Sequence, residues 1–156
     1  MPVTISNAQQ GPPYSVHSEK MVLASMIRNP SIIKLIHSII PDATAFYSST
    51  NERIFNAVIA VPGKFKPDDS RILIESIGEL DPPHSTISTG TLLELSREGV
   101  DKKLAEEHAR IVAGKAKMRL LVETVSDILT DAYRSTDGFD AVLQRARTKL
   151  DALAKR

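Results

Sequence analysis

The chain of 156 residues carries 20 basic and 19 acidic side chains, and it has no cysteine. A chain of this length buries roughly 70% of its unfolded surface, so it can fold without a metal or a crosslink, and the absence of cysteine excludes a disulfide framework and a Cys-ligated zinc site. No apolar run approaches the ~18 residues of a membrane span, and Met1–Gln10 lacks the basic and apolar regions of a signal peptide, which together predict a soluble, cytoplasmic protein.

The net charge of +1 is too balanced for a domain built to neutralise phosphates. Positive charge nevertheless collects late. Residues 1–100 hold 8 basic and 10 acidic residues, a net of −2, and residues 101–156 hold 12 and 9, a net of +3.

In chain order, residues 1–13 are polar and end on Gly11-Pro12-Pro13, which predicts a flexible arm. Ser15 is a candidate N-cap for a first helix, with Val16, Val22, Leu23, Met26 and Ile27 on its apolar stripe up to Asn29-Pro30. Asn29 caps a second, with Pro30 at its first position and Ile32, Ile33, Leu35, Ile36, Ile39 and Ile40 before Pro41. Ser48–Thr50 offer caps for a third, whose stripe is Ile54, Phe55, Val58 and Ile59 and whose end lies near Pro62-Gly63. Asp68 or Asp69 caps a fourth, with Ile72, Leu73 and Ile77 inward and Gly78 as its stop. Residues 81–90 read as an irregular loop, and a short fifth helix over Thr91–Glu98 buries Leu92 and Leu95 before Gly99.

From Asp101 the pattern changes. Leu104, Ile111, Met118, Val125 and Ala132 are spaced by seven, joined by Leu121, Val122, Ile128 and Leu129, the seam of a long coiled-coil-like helix. After a turn at Ser135–Gly138, Phe139, Leu143, Ala146, Leu150 and Leu153 repeat at the same period on a shorter helix. The fold class is therefore all-α, with a small globular helical bundle at 14–100 followed by a long antiparallel helical hairpin at 101–156. Such a seam is covered either by the globular part, giving a monomeric bundle, or by a second copy, which makes 101–156 a dimerisation element. The candidate interface is Leu104, Ile111, Met118, Leu121, Val122, Val125, Ile128 and Leu129.

The residues offer no support for catalysis, and no cofactor or metal is predicted. The Gly-Lys pair Gly63-Lys64 precedes Phe65 and follows no phosphate-cradling glycine run, since Val58 stands where the first motif glycine belongs. His17, His37, His84 and His108 form no i, i+4 pair and no H-E-x-x-H unit. Asp68-Asp69 and Glu106-Glu107 read better as a helix cap and as acids in the early turns of the long helix, where the macrodipole favours negative charge, than as an acid–base pair. Lys102, Lys103, Lys115 and Lys117 are candidates for weak or indirect DNA contact, although a chain with three Tyr, four Phe and no Trp has little from which to build a stacking platform.

Pro12-Pro13-Tyr14-Ser15, Glu19 and Val22-Leu23 resemble the opening of the N-terminal domain of replicative DNA helicases of the DnaB type. Phe46-Tyr47 is similar to that family's Asp-Phe-Tyr, Asn51 with Ile54-Phe55 to its His-x-x-Ile-Phe, Pro67-Asp68 to its Pro-Ile-Asp, and His108-Ala109-Arg110-Ile111-Val112 to its Tyr-Ala-x-Ile-Val. The likeness runs over about residues 12–156. Departures are Ser18 before Glu19, Ala24 after Val22-Leu23, Thr89-Gly90-Thr91-Leu92-Leu93 in place of Gly-Gly-x-x-Tyr-Leu, and His108 for Tyr.

The resemblance implies a non-catalytic domain of DNA replication whose hairpins pair into dimers. It also implies that the dimers assemble as a trimer of dimers on the helicase ring and that this collar docks the C-terminal domain of primase. The rest of the helicase and a helicase loader are further implied partners. A helicase of this family continues through a linker into a RecA-like ATPase, so the expectation is an excised N-terminal domain. The alternatives are a stand-alone phage- or plasmid-type adaptor or loader of the helicase, and a weak single-stranded DNA-binding module.

Overall fold

Ser15 opens the first helix as its chemistry predicts. Its Oγ accepts the Ser18 N–H at 3.2 Å, and α1 runs over Val16–Arg28. The structure, a computed structural model, describes residues 11–61, 70–80 and 87–155. Asn29 caps a 3-10 turn, Pro30–Ile32, by accepting the Ser31 N–H, and α2 follows at Ile33–Ile39. Asp42 caps a second 3-10 turn at Ala43–Ala45. Ser48 caps α3, Ser49–Ala60, through the Asn51 N–H at 3.3 Å.

The fourth helix, α4, spans Ser70–Leu80 and the fifth, α5, spans Thr89–Arg97 under a Ser88 cap. Asp101 Oδ1 accepts the Leu104 N–H at 3.0 Å and opens α6, Lys102–Arg134, and α7 covers Phe139–Ala154. Among the described residues every regular element is helical, so the all-α expectation holds.

Four local expectations are corrected. Gly78 does not stop α4, which continues to Leu80, because two further residues keep helical geometry and Gly is tolerated inside a helix at modest cost. Ile72 is 44% exposed, and Ile74 takes its place beside Leu73 and Ile77 in the core. Val16 is 63% exposed because it stands at the first position of α1, before the helix turns its apolar face inward. The loop expected over 81–90 gives way to helix at Thr89, since Ser88 accepts the Thr91 N–H at 3.1 Å and supplies a cap two residues earlier than the expected start. The expected Asp68 or Asp69 cap, the Pro62-Gly63 helix end, Gly63-Lys64 and the arm at 1–10 lie outside the described residues.

The chain forms two compact units. One comprises residues 14–116, the other residues 1–13 with 117–156. The change of sequence pattern puts the division after residue 100, whereas the packing extends the globular unit along half of α6. The reason is that Ala105, Ala109 and Val112, at i, i+4 and i+7, are buried in its core. Small alanines allow the long helix to lie close, while Leu104 and Ile111, the larger seam residues of that stretch, are 38% and 43% exposed.

The core is centred on α1, which is buried from Met21 through Ile27. Phe46 and Phe55 meet with ring centroids 4.9 Å apart, and Ile32, Ile36, Ile40, Leu73, Ile77 and Leu92 complete the apolar interior. Each such aliphatic or aromatic side chain is worth about 2 kcal/mol of transfer free energy on full burial.

The α5–α6 link is fixed to α1 by close approach. A Cβ on Gly99 would lie 2.8 Å from the Ala24 carbonyl oxygen and 2.9 Å from Arg28 Cβ, so only glycine permits this approach. The Arg28 guanidinium donates to the Gly99 carbonyl. Ser25 Oγ accepts the Val100 N–H at 3.0 Å and donates to the Met21 carbonyl at 2.7 Å.

Candidate functional site

Two surfaces stand out, one in each unit. In the C-terminal unit, the half-buried positions of α6 are Arg119, Leu120, Thr124, Ile128 and Asp131, the last four recurring at 4, 4 and 3 residues. Asp131 is ion-paired to Arg145 of α7 at 2.8 Å, which identifies this as the face turned toward α7. Met118, Val122, Val125 and Leu129 follow a different line, at 4, 3 and 4 residues, and are 49%, 49%, 50% and 41% exposed. Leu121, 38% exposed, lies between the two lines. No residue of α7 is buried. The hairpin therefore has one apolar face against its own second helix and another open to solvent.

The eight residues picked from the seam are thus distributed over three settings. Met118, Val122, Val125, Leu129 and Leu121 form the open stripe of the C-terminal unit, Ile128 belongs to the intra-hairpin face, and Leu104 and Ile111 are exposed on the part of α6 that belongs to the globular unit. The heptad pattern is silent on this split, because residues three and four apart share a face whether the neighbour is the second helix of the hairpin or a separate chain.

The hairpin turn is held by one guanidinium. Arg145 donates to both Asp131 carboxylate oxygens at 2.8 and 3.1 Å, to Asp137 Oδ2 at 2.8 Å and to Ser135 Oγ at 2.9 Å. These bonds raise the Arg145 pKa further, and the Asp131 carboxyl is held below the ordinary carboxylate range by its hydrogen bond from Arg145.

The basic residues do not make one positive face. Lys102, Lys103, Lys115 and Lys117 are all exposed, but at about 100° per residue Lys115 lies roughly 120° around the helix from Lys103. Glu106 interrupts the sector and is paired with Arg110 at 2.7 Å.

In the globular unit, a groove of about 520 Å³ opens between the start of α1, the start of α3 and α5. The Tyr14 and Tyr47 rings stack along it with centroids 4.4 Å apart and 14° between planes, and they remain 44% and 48% exposed. Val16, Ile54 and Leu95 supply apolar lining, and Thr91, Glu94, Glu98 and Lys20 supply the polar part. Lys20 and Glu98 pair at 2.7 Å with both side chains nearly half exposed.

Below the groove lies a buried carboxylate. Glu19 is 2% exposed and accepts the Tyr47 N–H at 2.7 Å, the Ser48 N–H at 3.4 Å and the Asn51 Nδ2–H at 2.8 Å. It thereby holds the 46–51 segment, and with it the beginning of α3, onto α1. The resemblance had marked Glu19, Tyr47 and Asn51 separately, and their connection comes only from the fold.

A second pairing crosses a longer span of sequence. The His17 and His108 rings meet edge to face at 5.3 Å, and His108 Nδ1 lies 3.2 Å from the Ser18 hydroxyl, itself 3% exposed. Burial lowers the His108 pKa, the charge of His17 lowers it further, and Glu107 opposes the shift. Nothing in the sequence relates the two histidines, which stand 91 residues apart, and among the described residues no three metal-ligating side chains cluster. No helix among them is long and apolar enough to cross a membrane.

Comparison with known proteins gives one consistent result. A family model described as the DnaB-like helicase N terminal domain matches residues 11–114. The replicative DNA helicase DnaB of Treponema pallidum (strain Nichols) is 22% identical over 139 residues, which cover 89% of this chain and 32% of that protein, so the chain spans about a third of this relative's length. The crystal structure of the N-terminal domain of DnaB helicase from Mycobacterium tuberculosis superposes with a TM-score of 0.73 at 21% identity, covering 91% of this chain and 99% of that one, and it supports the fold.

Proposed function

Since this chain belongs to the DnaB-like helicase N-terminal domain family, we propose that it acts in DNA replication as a non-catalytic assembly domain, pairing through its hairpin with a second copy and offering the paired surface to primase. The observation that carries the pairing is the open stripe Met118–Val122–Val125–Leu129 on α6, beside a second helix with no buried residue. Four apolar side chains at 4, 3 and 4 spacing, each about half exposed, form the a/d-type seam that a second helix or hairpin covers. The primase C-terminal domain as partner rests on family membership. So does assembly with the rest of a helicase ring and with a helicase loader.

Direct DNA binding is the less supported reading. The lysines are spread around α6 and interrupted by Glu106, and the net charge of +1 gives no broad phosphate-binding surface.

The test combines light scattering with calorimetric titration against the primase C-terminal domain from the same source. The expected result is a dimer mass and saturable binding near one primase domain per dimer. Val125→Glu should give a monomer of unchanged helix content, because the residue is half exposed and lies outside the core. A monomeric parent chain overturns the pairing, and a folded dimer with no heat of binding overturns the docking.

A further inference from the structure

We propose that the groove between α1, α3 and α5 is a docking site for an arginine-bearing peptide segment of a partner protein. This surface lies in the globular unit, and the proposal does not depend on hairpin pairing or on primase.

The argument is one of charge and shape. The groove has an aromatic wall, Tyr14 stacked on Tyr47, with Val16, Ile54 and Leu95 as further apolar lining. Its charged groups are Glu19 beneath it and Glu94, Glu98 and Lys20 along it. Glu19 is buried, and the donors that satisfy it are two backbone N–H groups and one amide, all neutral, so no cation among its hydrogen-bonding partners offsets its charge. Lys20 pairs with Glu98, and among the described residues no ion pair involves the Glu94 carboxylate on the exposed face of α5. The groove is therefore negative over an apolar, aromatic surface.

A guanidinium matches both features. It stacks on tyrosine faces, and its planar fork of donors meets a carboxylate in bidentate fashion. An ammonium group satisfies the charge but not the stacking, and a nucleic-acid strand, which stacks well, brings phosphates against three carboxylates. An aliphatic residue beside the arginine fits the Val16, Ile54 and Leu95 lining.

The experiment uses the full chain and a capped Leu-Arg-Leu-Arg peptide, followed by amide chemical shifts on isotope-labelled protein. Saturable shifts at Tyr47, Asn51, Thr91 and Glu94 are expected. Affinity should fall about tenfold for Glu94→Arg, an exposed change, through loss and reversal of one partly solvated charge contact. Replacing both peptide arginines by lysine should weaken binding several-fold, and replacing them by glutamate should abolish it. Circular dichroism checks that Glu94→Arg keeps its helix content. Equal binding of the glutamate peptide, indifference to Glu94→Arg, shifts confined to the hairpin, or tighter binding of oligo-dT at the same residues would each overturn the proposal.

Discussion

Glu19 and Tyr47 are 28 residues apart in sequence, yet the buried Glu19 carboxylate accepts the Tyr47 backbone N–H at 2.7 Å. The same carboxylate takes Asn51 Nδ2–H at 2.8 Å, so one side chain of α1 holds the start of α3 at two points. Glu19→Ala leaves these donors buried without an acceptor and is expected to lower the unfolding free energy by about 2 kcal/mol. Urea denaturation monitored by circular dichroism measures this as a lower midpoint at unchanged slope. Glu19→Gln keeps one acceptor oxygen and should fall between the two.

Gly99 and Gly114 should respond to alanine with opposite signs. At Gly99 the added Cβ meets a backbone carbonyl at 2.8 Å, which cannot swing aside, and Gly99→Ala is expected to cost about 1–3 kcal/mol by overpacking. At Gly114, within α6, nothing lies within 4 Å of the new atom, and Gly114→Ala should stabilise by about 1 kcal/mol through helix propensity. Thermal unfolding of the two variants beside the parent decides the matter, and a shift of the same sign in both would contradict the packing described for Gly99.

His108 gives the protein an acid-side stability loss. Its folded-state pKa lies below the ordinary 6.5, chiefly because of burial and then because of the His17 charge, with Glu107 opposing. The unfolded chain therefore binds the proton more readily than the folded one. The contribution of His108 is fully present above about pH 6.5 and is lost as pH falls through the folded-state value. Denaturation midpoints should drop between pH 7.5 and 5.5, and His108→Gln should flatten that part of the profile. A variant with the parent's slope would show that the titration arises elsewhere.

Arg145 joins Asp131 on α6, Asp137 and Ser135 in the turn, and its own helix α7. Arg145→Ala removes all of these bonds and should expose residues 135–138 to protease while leaving the core of the globular unit untouched. Limited proteolysis with mass spectrometry reads this directly, with faster cleavage at the turn as the expected outcome. Arg145→Lys should rescue only in part, since a single ammonium cannot reproduce the fork onto Asp131.

What was legible in the sequence was local. Ser15, Asn29, Ser48 and the Ser135–Gly138 turn bound helices where their chemistry predicts, because capping and turn formation depend on residues a few positions apart. The apolar stripes gave Leu23, Met26, Ile36, Phe55, Val58 and Leu92 as core for the same reason. The motif order also carried the family.

Tertiary structure alone decided which face of a helix meets which neighbour. Leu104 and Ile111 fit the heptad as well as Ala105 and Ala109 fit the bundle, and packing chose the alanines because only small side chains admit α6 so close to the core. It also turned Ile128 toward α7 and left Met118, Val122, Val125 and Leu129 open. The pairings of Glu19 with Tyr47 and of His17 with His108 were likewise invisible beforehand. A sequence fixes the period of a helix through contacts within a turn or two, but the partner of each face depends on contacts between residues tens of positions apart, whose register no local pattern records.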